Sequence, residues 1–146
     1  MLEALQASGP AAFLRGSFYF YPLLNALHIF SIGALVTSAL LMDLRVLGLG
    51  GALPTESVLR QLRPVALTAL AAAAASGLLL FSVQPLDYAE NPAFRIKLLL
   101  LLAALANAAI FTFLRLDRRG GRLSALLSIL LWISILVAGR FIGFVL

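Results

Sequence analysis

One histidine, His28, stands in the whole chain, and its neighbours set what chemistry is open to it. Asn25, His28 and Ser31 recur every three residues within an apolar run, a spacing that gives a helix one polar stripe. A neutral imidazole on such a stripe ligates a metal or a haem iron, or relays protons near neutral pH. The plain alternative is a histidine hydrogen-bonded to a carbonyl or to Asn25. Three cations also sit in apolar surroundings: Arg95 and Lys97 open one long run, and Arg140 lies near the end of another, beside Gly139. No acid accompanies them inside the runs, so a converging cluster would suit an anionic group such as a haem propionate, a lipid phosphate or a small anion. The alternative is that each cation snorkels singly to the headgroups, the reading adopted for Arg95. Asn107, near the middle of its run, is either interhelical glue or a contact to a buried ligand.

Missing chemistry narrows the field. With no cysteine and only Met1 and Met42, one chain has no soft copper site. A single histidine provides no bis-histidine haem ligation unless two chains share the haem. No carboxylate pair, nucleophile–base arrangement or phosphate-binding glycine loop is visible. Whether the chain catalyses anything stays open at this stage.

The elements that must position these groups follow from composition. Of 146 residues, 62% are hydrophobic and 12% charged, against about 45–50% and about 25% in an ordinary soluble domain. Disordered chains, nucleic-acid binders and disulfide scaffolds are excluded together. The net charge of +5 does not form a patch for nucleic acid; the arginines flank apolar runs, as an integral membrane protein requires. Four runs reach the about 20 residues that cross a bilayer core, at about 23–46, 64–83, 94–114 and 123–146. The expectation is an all-α chain, one integral membrane domain over 1–146, built as a four-helix antiparallel transmembrane bundle with short connections. Residues 55–63 are expected to form a short interfacial helix before Pro64.

Arg45, Arg60, Arg63, Arg115, Arg118, Arg119 and Arg122 fall in the first and third connections. Positive loops stay cytoplasmic, which places both termini outside, in a bacterial inner membrane. The N-terminal tail has no basic n-region and its first charge is Glu3, so it does not read as a signal peptide. On that topology His28, Lys97 and Arg140 share one level near the outer face. Gly139 and Gly143 have the spacing of close helix contact, within the bundle or in a dimer. Ser76, Gly77 and the alanine run 71–75 make the second span a thin, closely packed element, Trp132 belongs inside the bundle, Phe18, Tyr19 and Tyr21 fit an aromatic belt, and Asp43 and Arg45 pair with each other or with Arg63.

The segments LNALHIFSIGALVTSALLMDLRVLG, FRIKLLLLLAALAN and WISILVAGRFIGF together resemble a group of small four-helix bacterial membrane proteins. More distantly they are similar to the HemJ type of membrane protoporphyrinogen oxidase and to the copper-resistance D membrane domain. The shared marks are a histidine early in the first span followed by a glycine, here His28 and Gly33, and a lysine entering the third, here Lys97. The HemJ resemblance implies haem b, with His28 as an axial ligand and Lys97 as partner of a propionate or substrate. The reading is therefore a membrane protein that binds a b-type haem, porphyrin or quinone-like ligand through His28, Lys97 and Arg140, with Asn25 and Asn107 as further contacts and electron transfer as its use. The competing reading is a non-catalytic subunit or transporter accessory packed against partner helices, as a homodimer or in a larger complex; a small-anion transporter stands third.

Overall fold

The computed structural model describes residues 2–114 and 117–145; Met1, Arg115, Leu116 and Leu146 lie outside the described residues, Arg115 of the arginine-rich third connection among them. All regular structure among the described residues is helical: α1 (Leu2–Gln6), α2 (Gly9–Gly16), α3 (Phe20–Val46), α4 (Thr55–Val83), α5 (Pro85–Glu90), α6 (Pro92–Phe113) and α7 (Arg118–Val145). Four of them, α3, α4, α6 and α7, are long and apolar enough to cross a membrane, the pattern of a multi-pass membrane protein.

Which side chains face inward supports the same conclusion. Ser31, Ser38, Ser76, Asn107 and Ser124 are buried, whereas Leu23, Phe30, Leu67, Leu99, Leu102 and Leu130 are exposed. Large apolar side chains outside and small or polar ones inside invert the soluble pattern. In lipid, helices gain little by hiding leucine and instead use small residues to bring backbones close. On α4 the buried stripe is Ala66, Ala69, Ala73, Ser76 and Leu80, spaced by threes and fours along one face. Its Ala66 and Ala69 pack with Leu35, Val36 and Ala39 of α3, and Ala104, Trp132 and Ile135 complete the core.

Contacts run in the lateral order α4–α3–α7–α6. Neighbours are antiparallel: His28 near the start of α3 meets Ser76 near the end of α4, and Asn107 late in α6 meets Ser124 early in α7. No Cα atoms of α4 and α6 come within 8 Å of each other, so the four helices leave a seam between that pair. At one end of the seam, Phe81 of α4 and Phe94 of α6 stack across it at 5.5 Å and 10°, and Tyr88 of α5 leans on both rings. The other end of the seam widens into a cavity.

The stacked end is capped. α1, α2 and α5 lie over it, and Arg15 of α2 donates to Val83 O at 2.9 Å and to Gln6 O at 2.6 Å. A guanidinium on the last carbonyls of a helix meets both unpaired acceptors and the negative end of the helix dipole. Burial, then the neighbouring Tyr21 phenol and the charge of Asp87, push the Tyr88 phenol above its ordinary range. A phenol whose pKa is raised by folding contributes stability that is complete below the unfolded value of about 10 and is lost as pH rises through the folded value. In a titration followed by phenolate absorbance, one of the three tyrosines should ionise last. Tyr88→Phe should remove that component and lessen the loss of stability above pH about 10.

Two expectations are corrected here, on residues 55–63 and on Asp43. Residues 55–63 are not a separate interfacial helix but the first turns of α4, which continues through Pro64. Proline there forfeits one backbone donor, the one that would serve Arg60 O, and the helix continues past it; Thr68 Oγ1 separately donates back to Pro64 O at 2.7 Å. The tail folds as α1 and α2. Asp43 makes no ion pair with Arg45 or Arg63: Arg45 Nη1 turns to Gly51 O at 2.6 Å, in a connection where Gly48 and Gly51 hold φ of 90° and 108°. Helix ends also shift by a few residues, because caps override the apolar pattern. Asn91 accepts from Ala93 N and Phe94 N to start α6 while its amide donates to Ile142 O of α7 at 3.2 Å, and Asp117 accepts from Gly120 N at 2.7 Å to start α7.

Candidate functional site

His28 lies two turns below Tyr21 on the same face of α3 and is half-buried against α4. Its Nδ1 is 3.0 Å from Ser76 Oγ, and the Ser76 hydroxyl is 2.6 Å from Ala72 O. A hydroxyl has one proton to give, and the short contact to a carbonyl takes it. Ser76 therefore accepts from His28, and the hydrogen-bond network assigns the neutral ring its proton on Nδ1. The Ala73 carbonyl is a second acceptor within reach of the ring. Nε2 is then the ring atom with a free lone pair, the form in which histidine ligates a metal or accepts a proton.

Gly77 makes this packing possible. A Cβ at residue 77 would stand 2.9 Å from His28 Cε1, nearer than side-chain carbons approach. The stem and ammonium of Lys97 lie along Gly139, with Nζ 3.4 Å from where a Cβ would be. Gly77 thus lets the His28 ring lie against α4, whereas the Lys97 side chain makes ordinary contacts over Gly139 of α7. Lys97 is close enough to act electrostatically on the His28 ring, so α3, α4, α6 and α7 all contribute to one locus below the aromatic end of the seam.

The remaining expected residues lie elsewhere. Asn25 is exposed, because steps of three fall short of the 3.6-residue turn and rotate a stripe across the helix face. Ser31 is buried and Asn25 is not. Arg140 is exposed, its guanidinium 5.0 Å above the ring of Phe144 on the same helix; one residue past Gly139 is a rotation of about 100° away from Lys97. Arg95 is exposed and donates to Ala89 O at 2.7 Å. Asn107 is ten residues, or about 15 Å, along α6 from Lys97. It is buried in a reciprocal pair with Ser124: Nδ2 to Ser124 O and Ser124 Oγ to Oδ1, both 3.0 Å.

Sequence reasoning missed Ser76 and Gly77 as partners of His28. The dipeptide ends an alanine run, and only the facing of α4 on α3 gives it a role. Among the described residues no group of three or more His, Cys, Asp or Glu could hold a metal ion. What this locus presents is one imidazole and a nearby ammonium. No protein family matches the chain, and comparison with curated proteins and with solved structures returns no match.

Proposed function

We propose that the chain is a four-pass transmembrane bundle of the bacterial inner membrane, with both termini outside, that holds a largely apolar ligand at His28 and Lys97. The orientation rests on Arg45, Arg60, Arg63, Arg118, Arg119 and Arg122 at one end of the helices and Asp87 and Glu90 at the other. The ligand class is a b-type haem, a porphyrin or a quinone, and the use is electron transfer. One observation carries the ligand reading: an intramembrane histidine fixed by Ser76 in the tautomer that leaves Nε2 free, beside an ammonium seated on Gly139. An ionisable pair placed at depth and braced by neighbouring helices is costly unless it serves a site.

Bound haem would supply one-electron chemistry. The protein's part would be to offer Nε2 of His28 as a ligand, to hold the imidazole through Ser76, and to offer Lys97 to an acidic group or a carbonyl oxygen. His28→Ala should abolish haem retention on addition of haem to the detergent-purified protein, with folding and yield preserved. Lys97→Ala should weaken it about tenfold, equivalent to roughly 1.4 kcal/mol. Retention unchanged in His28→Ala would overturn the assignment.

A subunit role is favoured by a different observation. Ala71, Ala74 and Ala75 face outward on α4, and Gly143 has open space where a Cβ would stand, so small-residue surface is left for a partner helix or a second copy. On this reading the protein purifies with another membrane protein and without colour.

A further inference from the structure

Away from the His28 locus, at the arginine-rich end, the seam between α4 and α6 opens into a cavity of about 410 Å³. Its walls are mainly apolar, with Leu35, Leu70 and Trp132 at its deep end and Ala108 on one side. Into this apolar space α3 brings one carboxyl group, Asp43. Its Oδ2 is buried and has no hydrogen-bond partner among the described residues. Ser128 of α7 stands beside the carboxyl. Of the other polar groups of the wall, Asn107 and Ser124 satisfy each other, and Thr112 and Ser128 bring neutral hydroxyls. Arg63 contributes to the rim and is exposed, so its guanidinium has solvent or headgroups to meet.

A buried carboxylate oxygen without a donor is destabilising by itself. What complements it is a donor, best a cationic one, carried on an apolar body that fills the remaining volume. We propose that this cavity is a second ligand site, independent of His28, that takes a small lipophilic amine, with its ammonium on Asp43 and its body against Trp132. The site does not depend on the haem reading, because no residue is common to the two.

Trp132 is the only tryptophan in the sequence and lines the cavity, so its emission reports occupancy directly. The experiment titrates the full-length protein in detergent with 2-phenylethylamine, and in parallel with 2-phenylethanol and 3-phenylpropionate as isosteric controls. The amine should shift or quench Trp132 emission saturably, while the alcohol and the acid should bind at least tenfold more weakly. Asp43→Asn should lose at least tenfold in amine affinity. Ala108→Leu fills the cavity, leaves the carboxyl in place, and should also remove the saturable response, which covers the case in which Asp43→Asn does not fold. His28→Ala should leave the titration unchanged. A response absent with the amine, equal for amine and acid, or retained in Ala108→Leu would overturn the proposal.

Discussion

Gly77→Val is expected to destabilise the protein by about 1–3 kcal/mol and, in the same variant, to abolish ligand retention. The reason is local. A Cβ at that position already lies 2.9 Å from His28 Cε1, and valine adds two methyl groups with little rotameric choice in a helix. The ring has to leave Ser76, and with it goes the bond that fixes the tautomer. Gly33→Val on α3 is the matched control, since nothing lies within 4 Å of its Cβ position; it should retain ligand, with only the few tenths to one kcal/mol change of a helix-surface glycine replacement. Thermal unfolding in detergent and haem titration, measured on both variants, separate the two effects. Equal behaviour of Gly77→Val and Gly33→Val would show that the His28 packing does not matter.

Asn107→Leu should be the most damaging change away from that locus. Asn107 and Ser124 exchange two hydrogen bonds across α6 and α7, both buried. Leucine removes both at once, and the Ser124 hydroxyl is left without its acceptor. In water-excluded surroundings a stranded polar group costs about 1–3 kcal/mol, although measured interhelical bonds in membranes average only about 0.6 kcal/mol. The expected loss is therefore about 1–2 kcal/mol. Ser124→Ala relieves the stranded hydroxyl while leaving the Ser124 carbonyl to Asn107, so it should lose less, about 0.6 kcal/mol. The double variant Asn107→Leu with Ser124→Ala should be more stable than Asn107→Leu alone. Additive losses would mean that the two residues do not act as a pair.

Helix positions were largely legible in the sequence because the apolar runs are long and the charges stand at their ends. Boundaries were less so. A capping side chain such as Asn91 or Asp117 makes its case through one or two backbone bonds, which hydropathy does not register. Pro64 misled for a related reason: proline is a sound breaker in water, but helix α4 passes through it, as helices of membrane proteins tolerate. The pairing of His28 with Lys97 followed from depth alone, because level in the membrane is set by residue count. Rotation about each helix is not, and it decided the rest. Arg140 and Asn25 are exposed, while Ser76 and Gly77, legible in the sequence only as small residues for close packing, are the ones that meet the His28 ring. The seam between α4 and α6, and Asp43 beside it, depend on which helices neighbour each other, and apolar periodicity carries no such information.

Ligand binding at His28 is the claim on which the account turns, and an absorption spectrum of the detergent-purified protein tests it most directly. Haem is supplied during expression, and spectra are taken before and after dithionite. A Soret band that sharpens on reduction, with b-type α and β bands that vanish in His28→Ala, is the predicted result. A spectrum with nothing above the Trp132 absorption, under the same haem supply, would contradict the haem reading.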